Sequence, residues 1–517
     1  MALFTSASAV LTSLGSRLIH NIRLRLLWRR DISIICGLNE QTLEFGQELI
    51  RNGARSVLFV EQNPDPTLSA SVEHSGCVLR SDPESLEATA RFLRSIGIGA
   101  GKRKFHLYAL SSDSAYNQQY TAQILRAMEK RHVNPDNTTL TICCPDEDIA
   151  GRFLNTQTQY GFGNVLAINE PELAARMLVK AYPPCNVMSF DNVGVAQKDF
   201  HAVLIGFGHI GQAVLKQLVS HGQFCGSKFR LAVFAPNYSD QMGMLAHECD
   251  ALFTQYDISF HAHDGRSCQM FDYLAQHADA VNYIAICTGD HCVNLEIAEQ
   301  LRIFLKRRNN QSPIYLCSSA GVYHQSANNH LQGHKIYTVQ NLCSDQIDRM
   351  AMVLHHHYMG CGNMQQNWKD CDYFSRMSSR SAADFWYTIL RAAGTTQEAA
   401  KESWAPRGQL LENLSKMEHL RWNAFHFTMG FHPMPEDVYE SRVDAFRKAQ
   451  EEDPHTTYRI ARDMEHRFHA CLIPWEELDT YSQKENAVTG HNRDYRENDR
   501  DNIRMIQKVL HEMDVSR

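Results

Sequence analysis

Along most of the chain, short and wholly apolar runs alternate with longer stretches in which apolar residues recur every three or four positions. Ile32 to Leu38 (ISIICGL) reads as a buried strand, Glu40 to Asn52 as an amphipathic helix stopped at Gly53, and Ser56 to Glu61 (SVLFVE) as the next strand. GCVLRSD ends at Asp82, Glu84 to Ile96 is a helix stopped by Gly97, and FHLYALSSD (Phe105 to Asp113) is another strand. A helix over 120–130, the strand TLTICCPDED and a sixth strand, NVLAIN (Asn164 to Asn169), complete the series. Strands separated by helices predict an α/β fold with a parallel, doubly wound sheet.

From Phe200 the same text begins again. HAVLIGFG supplies a strand and turn, FRLAVFAPN (Phe229 to Asn237) the second strand, ISFHAHD a third ending at Asp264, and VNYIAICTGD (Val281 to Asp290) a fourth. PIYLCSS (Pro313 to Ser319) and KIYTVQ (Lys335 to Gln340) are read as the fifth and sixth. Asp113 precedes Asn117 by four residues, Asp290 precedes Asn294 by four, and each pair lies where a fourth strand hands over to a helix. Two Rossmann-like copies of one domain are therefore expected, over residues 31–185 and 198–345. A helix and linker follow over 346–366, and the rest, 367–517, is a mainly α-helical domain.

Composition narrows the class. The 517 residues, 44% hydrophobic, are enough for about three globular domains, and a net charge of −7 argues against a general nucleic-acid binder. The 15 cysteines include no CxxC pair and several sit in or just after apolar strands, which predicts reduced thiols and a cytoplasmic setting. Residues 1–30 differ: Met1 to Ser16 is uncharged, and Arg17, Arg23, Arg25, Arg29 and Arg30 follow with no acid among them. A basic amphipathic leader that touches anionic lipid is one reading, and a frayed leader helix the plainer one. His355, His356 and His357 are adjacent, so they cannot all face one metal from one helix, and no metal site is expected.

The most informative stretch is Gly206-Phe207-Gly208-His209-Ile210-Gly211, set between an apolar strand and an apolar-periodic helix. In that context the first glycine makes a tight turn, the second lets backbone approach a pyrophosphate, and the third lets helix and strand pack closely. GFGHIGQ followed by CTGDHCVNLEIAEQL resembles the TrkA N-terminal family, the domain that regulates potassium conductance (RCK). The resemblance implies binding of NAD(H), ATP, ADP or a cyclic dinucleotide, and movement without chemistry that gates a channel. It places Gly206, Gly208 and Gly211 at the phosphates, Asp264 near the base, and Thr288, Gly289 and Asp290 on the rim. Two departures stand out. The second repeat ends its strand Phe234-Ala235-Pro236-Asn237, leaving Asn237 where an acid normally takes the ribose hydroxyls. The first repeat keeps Glu61 but replaces the later glycines, since it reads Gly37-Leu38-Asn39-Glu40-Gln41-Thr42, and is expected to be a structural copy.

A second constellation lies in the last 150 residues. Glu418, Arg421 and Trp422 fall at i, i+3 and i+4 of an amphipathic helix, Trp475 follows a proline turn, and Arg380 sits in a helix opened by Ser378-Ser379. With the closing run Arg493-Asp494-Tyr495-Arg496, this set resembles the ryanodine-receptor (RyR) domain of bacterial proteins. That implies a ligand-binding module, with Arg380, Glu418, Arg421, Trp422 and Trp475 as ligand candidates. A tryptophan face can stack a base and an arginine can take a phosphate. The plainer reading makes the tryptophans core residues and the Glu–Arg pair a helix salt bridge. Together the two resemblances imply a non-catalytic nucleotide sensor that forms homo-oligomers and acts on a membrane channel or another effector. Such a pairing suits control of ion flux or antiphage defence. An NAD(P)-dependent oxidoreductase and a scaffold with vestigial nucleotide sites are the alternatives.

Overall fold

The strand β1 (Ile32–Cys36) is buried at every position, as a strand covered on both faces must be, and it lies at the middle of a sheet. The computed structural model describes residues 31–54, 56–144, 161–325, 331–343, 345–453 and 455–515. The basic leader read from residues 1–30 lies outside them. The chain divides into two units. Among the described residues, the first takes those up to 173 with 335–347 and 369–373, and the second takes 174–334, 348–368 and those from 374 onward.

In the first unit β1 is joined by β2 (Val57–Val60), β3 (Val78–Arg80), β4 (Phe105–Ala109), β5 (Thr138–Cys143) and β6 (Asn164–Ile168). They form one six-stranded sheet in the order β3-β2-β1-β4-β5-β6, parallel throughout. This is the Rossmann-like order in which the chain reverses direction between β1 and β4.

The second unit repeats that order and then departs from it. Its strands are β7 (Phe200–Ile205), β8 (Phe229–Phe234), β9 (Asp257–His261), β10 (Tyr283–Ile286), β11 (Ile314–Ser318), β12 (Gly321–Gln325) and β13 (Leu331–Lys335). The seven-stranded order is β13-β12-β11-β10-β7-β8-β9, with β12 antiparallel to β11. The expectation of a second wholly parallel sheet is thus corrected, and so is the sixth strand assigned to KIYTVQ. After β11 a turn at Ser319-Ala320 leads into Gly321, which has φ of +156° and where an added β-carbon would lie 2.6 Å from the His334 carbonyl oxygen; the chain returns directly as a hairpin. Beyond Lys335 the backbone leaves the sheet, and Val339–Cys343 is a short helix. That segment packs within the first unit, where the Thr141 hydroxyl donates to the Leu342 carbonyl at 3.1 Å.

The C-terminal part of the second unit is largely helical, with helices Arg349–Met359, Tyr373–Ala392, Gly408–Thr428, Glu436–Glu452, Leu478–Thr489 and Tyr495–Val515. Helix Gly408–Thr428 packs along His209–His221, the helix that follows the glycine turn. A buried ion network fastens three helices of this unit. Arg176 faces Asp348 at 2.5 Å and also pairs with Asp384, Lys180 meets Asp384 at 2.7 Å, and Arg380 donates Nε to Asp348 at 3.0 Å. No helix among the described residues is long and apolar enough to cross a membrane.

That network predicts an acid response. Burial alone would raise the Asp384 carboxyl, but Arg176 and Lys180 outweigh it and hold it down to about 2. Asp348 is likewise held well below the carboxylate range, by Arg380 and Arg176 acting against burial. Both folded-state values are depressed, so the stability they add is complete above about pH 4 and is lost as the pH falls from there toward about 2. Asp384→Asn should flatten the decline of the unfolding midpoint across that window, measured in denaturant at a series of pH values.

Candidate functional site

Two places in the second unit bear on function. At the end of β7 the backbone turns at Gly206 with φ of +92°, and a β-carbon there would lie 2.4 Å from the Cys287 carbonyl oxygen. At Gly211 an added β-carbon would come 2.3 Å from the Gly206 carbonyl, so the third glycine lets the helix press against the turn. Gly208 meets nothing within 4 Å on the side where its β-carbon would be. It caps helix His209–His221 without any side-chain hydrogen bond, which leaves the first amides facing outward. Phe207 turns inward, its ring 5.1 Å from Phe260, while His209 is exposed and Ile210 half-buried.

The surrounding residues are partly committed. Asp264 accepts from Arg266 Nε at 2.9 Å, which lowers its carboxyl pKa, and Asn237 is exposed and starts the next helix without a side-chain cap bond. Asp290 caps the next helix through the amides of Cys292 and Val293, and the Thr288 amide and hydroxyl both donate to Asn294. Gly289 has φ of +90° and open space beside it. The repeated Asp–Asn spacing is therefore a cap and cross-link: Asp113 caps Ala115 and Tyr116, and Asn117 reaches the Cys143 carbonyl just as Asn294 reaches Cys317.

The corresponding turn of the first unit is filled by its own side chains. Asn39 accepts from the Thr42 amide at 2.8 Å and Thr42 Oγ1 accepts from the Asn39 amide at 2.9 Å, a reciprocal cap over the helix start. Glu61 accepts from the Leu38 amide at 3.0 Å and from Gln62 at 2.8 Å. The carboxylate that would hold a ribose closes the turn instead.

The glycines of the second turn differ in what they tolerate. Gly206→Ala should cost about 1–3 kcal/mol, because alanine would be forced to positive φ against a carbonyl. Gly208→Asp should stay within about 0.5 kcal/mol of the parent, as at an ordinary surface position. Urea unfolding of the two variants measures the contrast.

The second place is a cavity of about 700 Å³ within the C-terminal part of this unit. One wall is aromatic: Phe374, Trp422, His426 and His469 line it, with the Trp422 ring 3.8 Å from His426 and 4.8 Å from His469. Arg459, Arg462 and Arg493 line it too, together with Ser378 and Tyr495. Burial pushes the His426 imidazole well below its ordinary pKa, and burial followed by the nearby Arg462, His419 and Arg459 pushes His469 down to about 3. Burial thus disfavours the charged form of both rings; the charged side chains on the lining are the guanidinium groups of Arg459, Arg462 and Arg493 and the carboxylate of Asp494. The guanidinium of Arg462 stands 5.6 Å over Phe374, and that of Arg493 is compensated by Glu485 at 3.1 Å.

Of the C-terminal residues singled out from sequence, Trp422 lines this cavity and the other four lie elsewhere. Glu418 and Arg421, 1% and 2% exposed, face one another through two bonds of 2.8 and 2.9 Å, and Arg421 also donates to Ser381 at 2.9 Å. Arg380 belongs to the Asp348 network. Trp475 is buried, with Arg496 over its ring and donating to its carbonyl. The three adjacent histidines diverge: His355 lies edge-on to Trp368, His356 meets Asn367, and His357 meets Glu512 at 3.0 Å. Sequence reasoning missed Arg459, Arg462 and His469; the interleaving Tyr458-Arg459-Ile460-Ala461-Arg462 was the signal available.

No protein-family model and no curated protein matches the chain. Among solved structures it is similar to the GsuK RCK domain, at 12% identity over 56% of this chain and 69% of that one, with a TM-score of 0.36. It is also similar to a dipicolinate synthase polypeptide from Bacillus halodurans, at 9% identity over 50% of this chain and 74% of that one, with a TM-score of 0.17. Overlaps this partial leave function to the residues of the chain itself.

Proposed function

We propose that this is a non-catalytic regulatory protein that senses a nucleotide-like ligand in the C-terminal, RyR-like cavity. The observation that carries the reading is the cavity's lining: a tryptophan and a phenylalanine beside arginines, in a space of about 700 Å³ that suits a mononucleotide or a dinucleotide. A base stacks on the aromatic wall and a phosphate is met by guanidinium groups. The glycine turn is a second input, of the kind expected in an RCK-type domain, because its helix start is uncapped and Gly208 leaves room for a phosphate. NAD(H), ATP, ADP, AMP and cyclic dinucleotides are the ligands to try.

A sensor also needs a route from input to output. Helix Gly408–Thr428 carries Trp422 into the cavity and packs along the helix of the glycine turn, so occupancy at one site biases an element shared with the other. The output is a shift in self-assembly or in the hold on a partner, such as a membrane channel.

A thermal-shift panel with these nucleotides tests the proposal. At a ligand concentration near 100 times Kd, stabilisation of about 2.7 kcal/mol is expected, and Gly208→Asp should retain it if the cavity is the main site. Absence of stabilisation by every nucleotide would favour the scaffold reading, and turnover of a bound nicotinamide would make the protein an oxidoreductase.

A further inference from the structure

The cavity wall that bears Arg459 and Arg462 has little regular structure of its own. Among the described residues, the chain between helix Glu436–Glu452 and Cys471 forms only β15 (Arg462–Asp463) and β16 (Phe468–His469), which with β14 (His432–Pro433) make a three-stranded sheet of two-residue strands. So short a sheet cannot by itself fix two long side chains. What fixes the strip is Arg442, on helix Glu436–Glu452. Its Nε donates to the Ile460 carbonyl at 2.9 Å and its Nη2 to the Arg459 carbonyl at 2.6 Å and to that of Arg462. Nη1 faces Asp463 at 3.4 Å, and the guanidinium stands 4.9 Å over the Tyr458 ring. One planar fork thus gathers the backbone from Tyr458 to Asp463, and Asp463 compensates its charge. Arg442 itself does not line the cavity.

We infer that Arg459 and Arg462 receive the anionic end of the cavity's ligand and that Arg442 is the positioning residue that aims them. The inference rests on reading the cavity as a ligand site. Two observations locate the anion on this wall rather than beside Arg493. Arg493 is already paired with Glu485, whereas among the described residues no carboxylate lies within ion-pair distance of Arg459. The guanidinium of Arg462 is held over Phe374, itself a cavity residue. Burial is the chief cause of the lowered His469 pKa, and Arg462 and Arg459 add to it, as a positive wall does to a neighbour inside.

Lysine at 442 keeps the charge but has no planar fork to span three carbonyls. Calorimetric titration of the full chain with AMP and with adenosine tests the inference, since the two probes differ by the phosphate alone. The parent should bind AMP at least about tenfold more tightly than adenosine, as a charge-assisted contact implies. Arg459→Ala and Arg442→Lys should each remove most of that preference while adenosine affinity stays within about twofold, which also shows that the site is still folded. Unchanged AMP affinity in Arg442→Lys, or an equal fall for both probes, overturns the positioning role. A parent that binds AMP and adenosine alike overturns the anion assignment alone. A parent that binds neither overturns the ligand-site reading beneath it.

Discussion

Replacing Arg421 with methionine should lower folding stability by about 3–5 kcal/mol, the range found when one partner of a buried ion pair is removed. Glu418 and Arg421 are almost wholly enclosed and each satisfies the other through paired hydrogen bonds. Burial raises the Glu418 carboxyl pKa against the opposing pull of Arg421, so without the guanidinium the acid must either stay charged in an apolar setting or take up a proton. The companion Glu418→Leu/Arg421→Met double variant should recover most of the loss, because an apolar pair of similar volume is often neutral or stabilising. Chemical denaturation of the single and double variants measures both. Equal stability of Arg421→Met and the parent would mean that the pair contributes nothing to the fold.

The second large effect is expected in binding. Trp422→Leu should weaken a nucleotide by about 1–3 kcal/mol, roughly five- to 150-fold in Kd, through loss of the stacking face. Trp422 is half-buried and its ring packs against His426 and His469, which hold it at the cavity wall. Leucine preserves apolar bulk there and removes the π-face, so the effect on affinity should exceed the effect on stability. Titration of the nucleotide that stabilises the parent most, run on both proteins, reads the difference.

The parallel strands were easy to read because a strand covered on both faces is an unbroken apolar run, as in Ile32–Cys36 and Phe200–Ile205. KIYTVQ misled because an apolar run can be buried without joining a sheet: Ile336 and Tyr337 are buried, yet they lie in a bend just before the helix Val339–Cys343. The return of β12 was a matter of turn chemistry at Ser319-Ala320-Gly321, which periodicity does not register. The helix of Trp422 was visible from spacing, but its roles were not. Adjacent helical positions point about 100° apart, so Arg421 is turned toward Ser381 while Trp422 meets the cavity. Arg459 and Arg462 offered only the interleaving of basic and apolar residues over 458–462, because Arg442 places them through hydrogen bonds to backbone 17 to 20 residues away.

We propose the C-terminal cavity, lined by Trp422, Arg459 and Arg462, as the principal ligand site. Hydrogen exchange read by mass spectrometry, with and without a saturating amount of the most stabilising nucleotide, tests this most directly. Slowed exchange in peptides covering 374–380, 421–428 and 458–470 is the predicted result. Slowing confined to the glycine turn and the segment around Thr288 to Asn294, or no slowing anywhere, would contradict it.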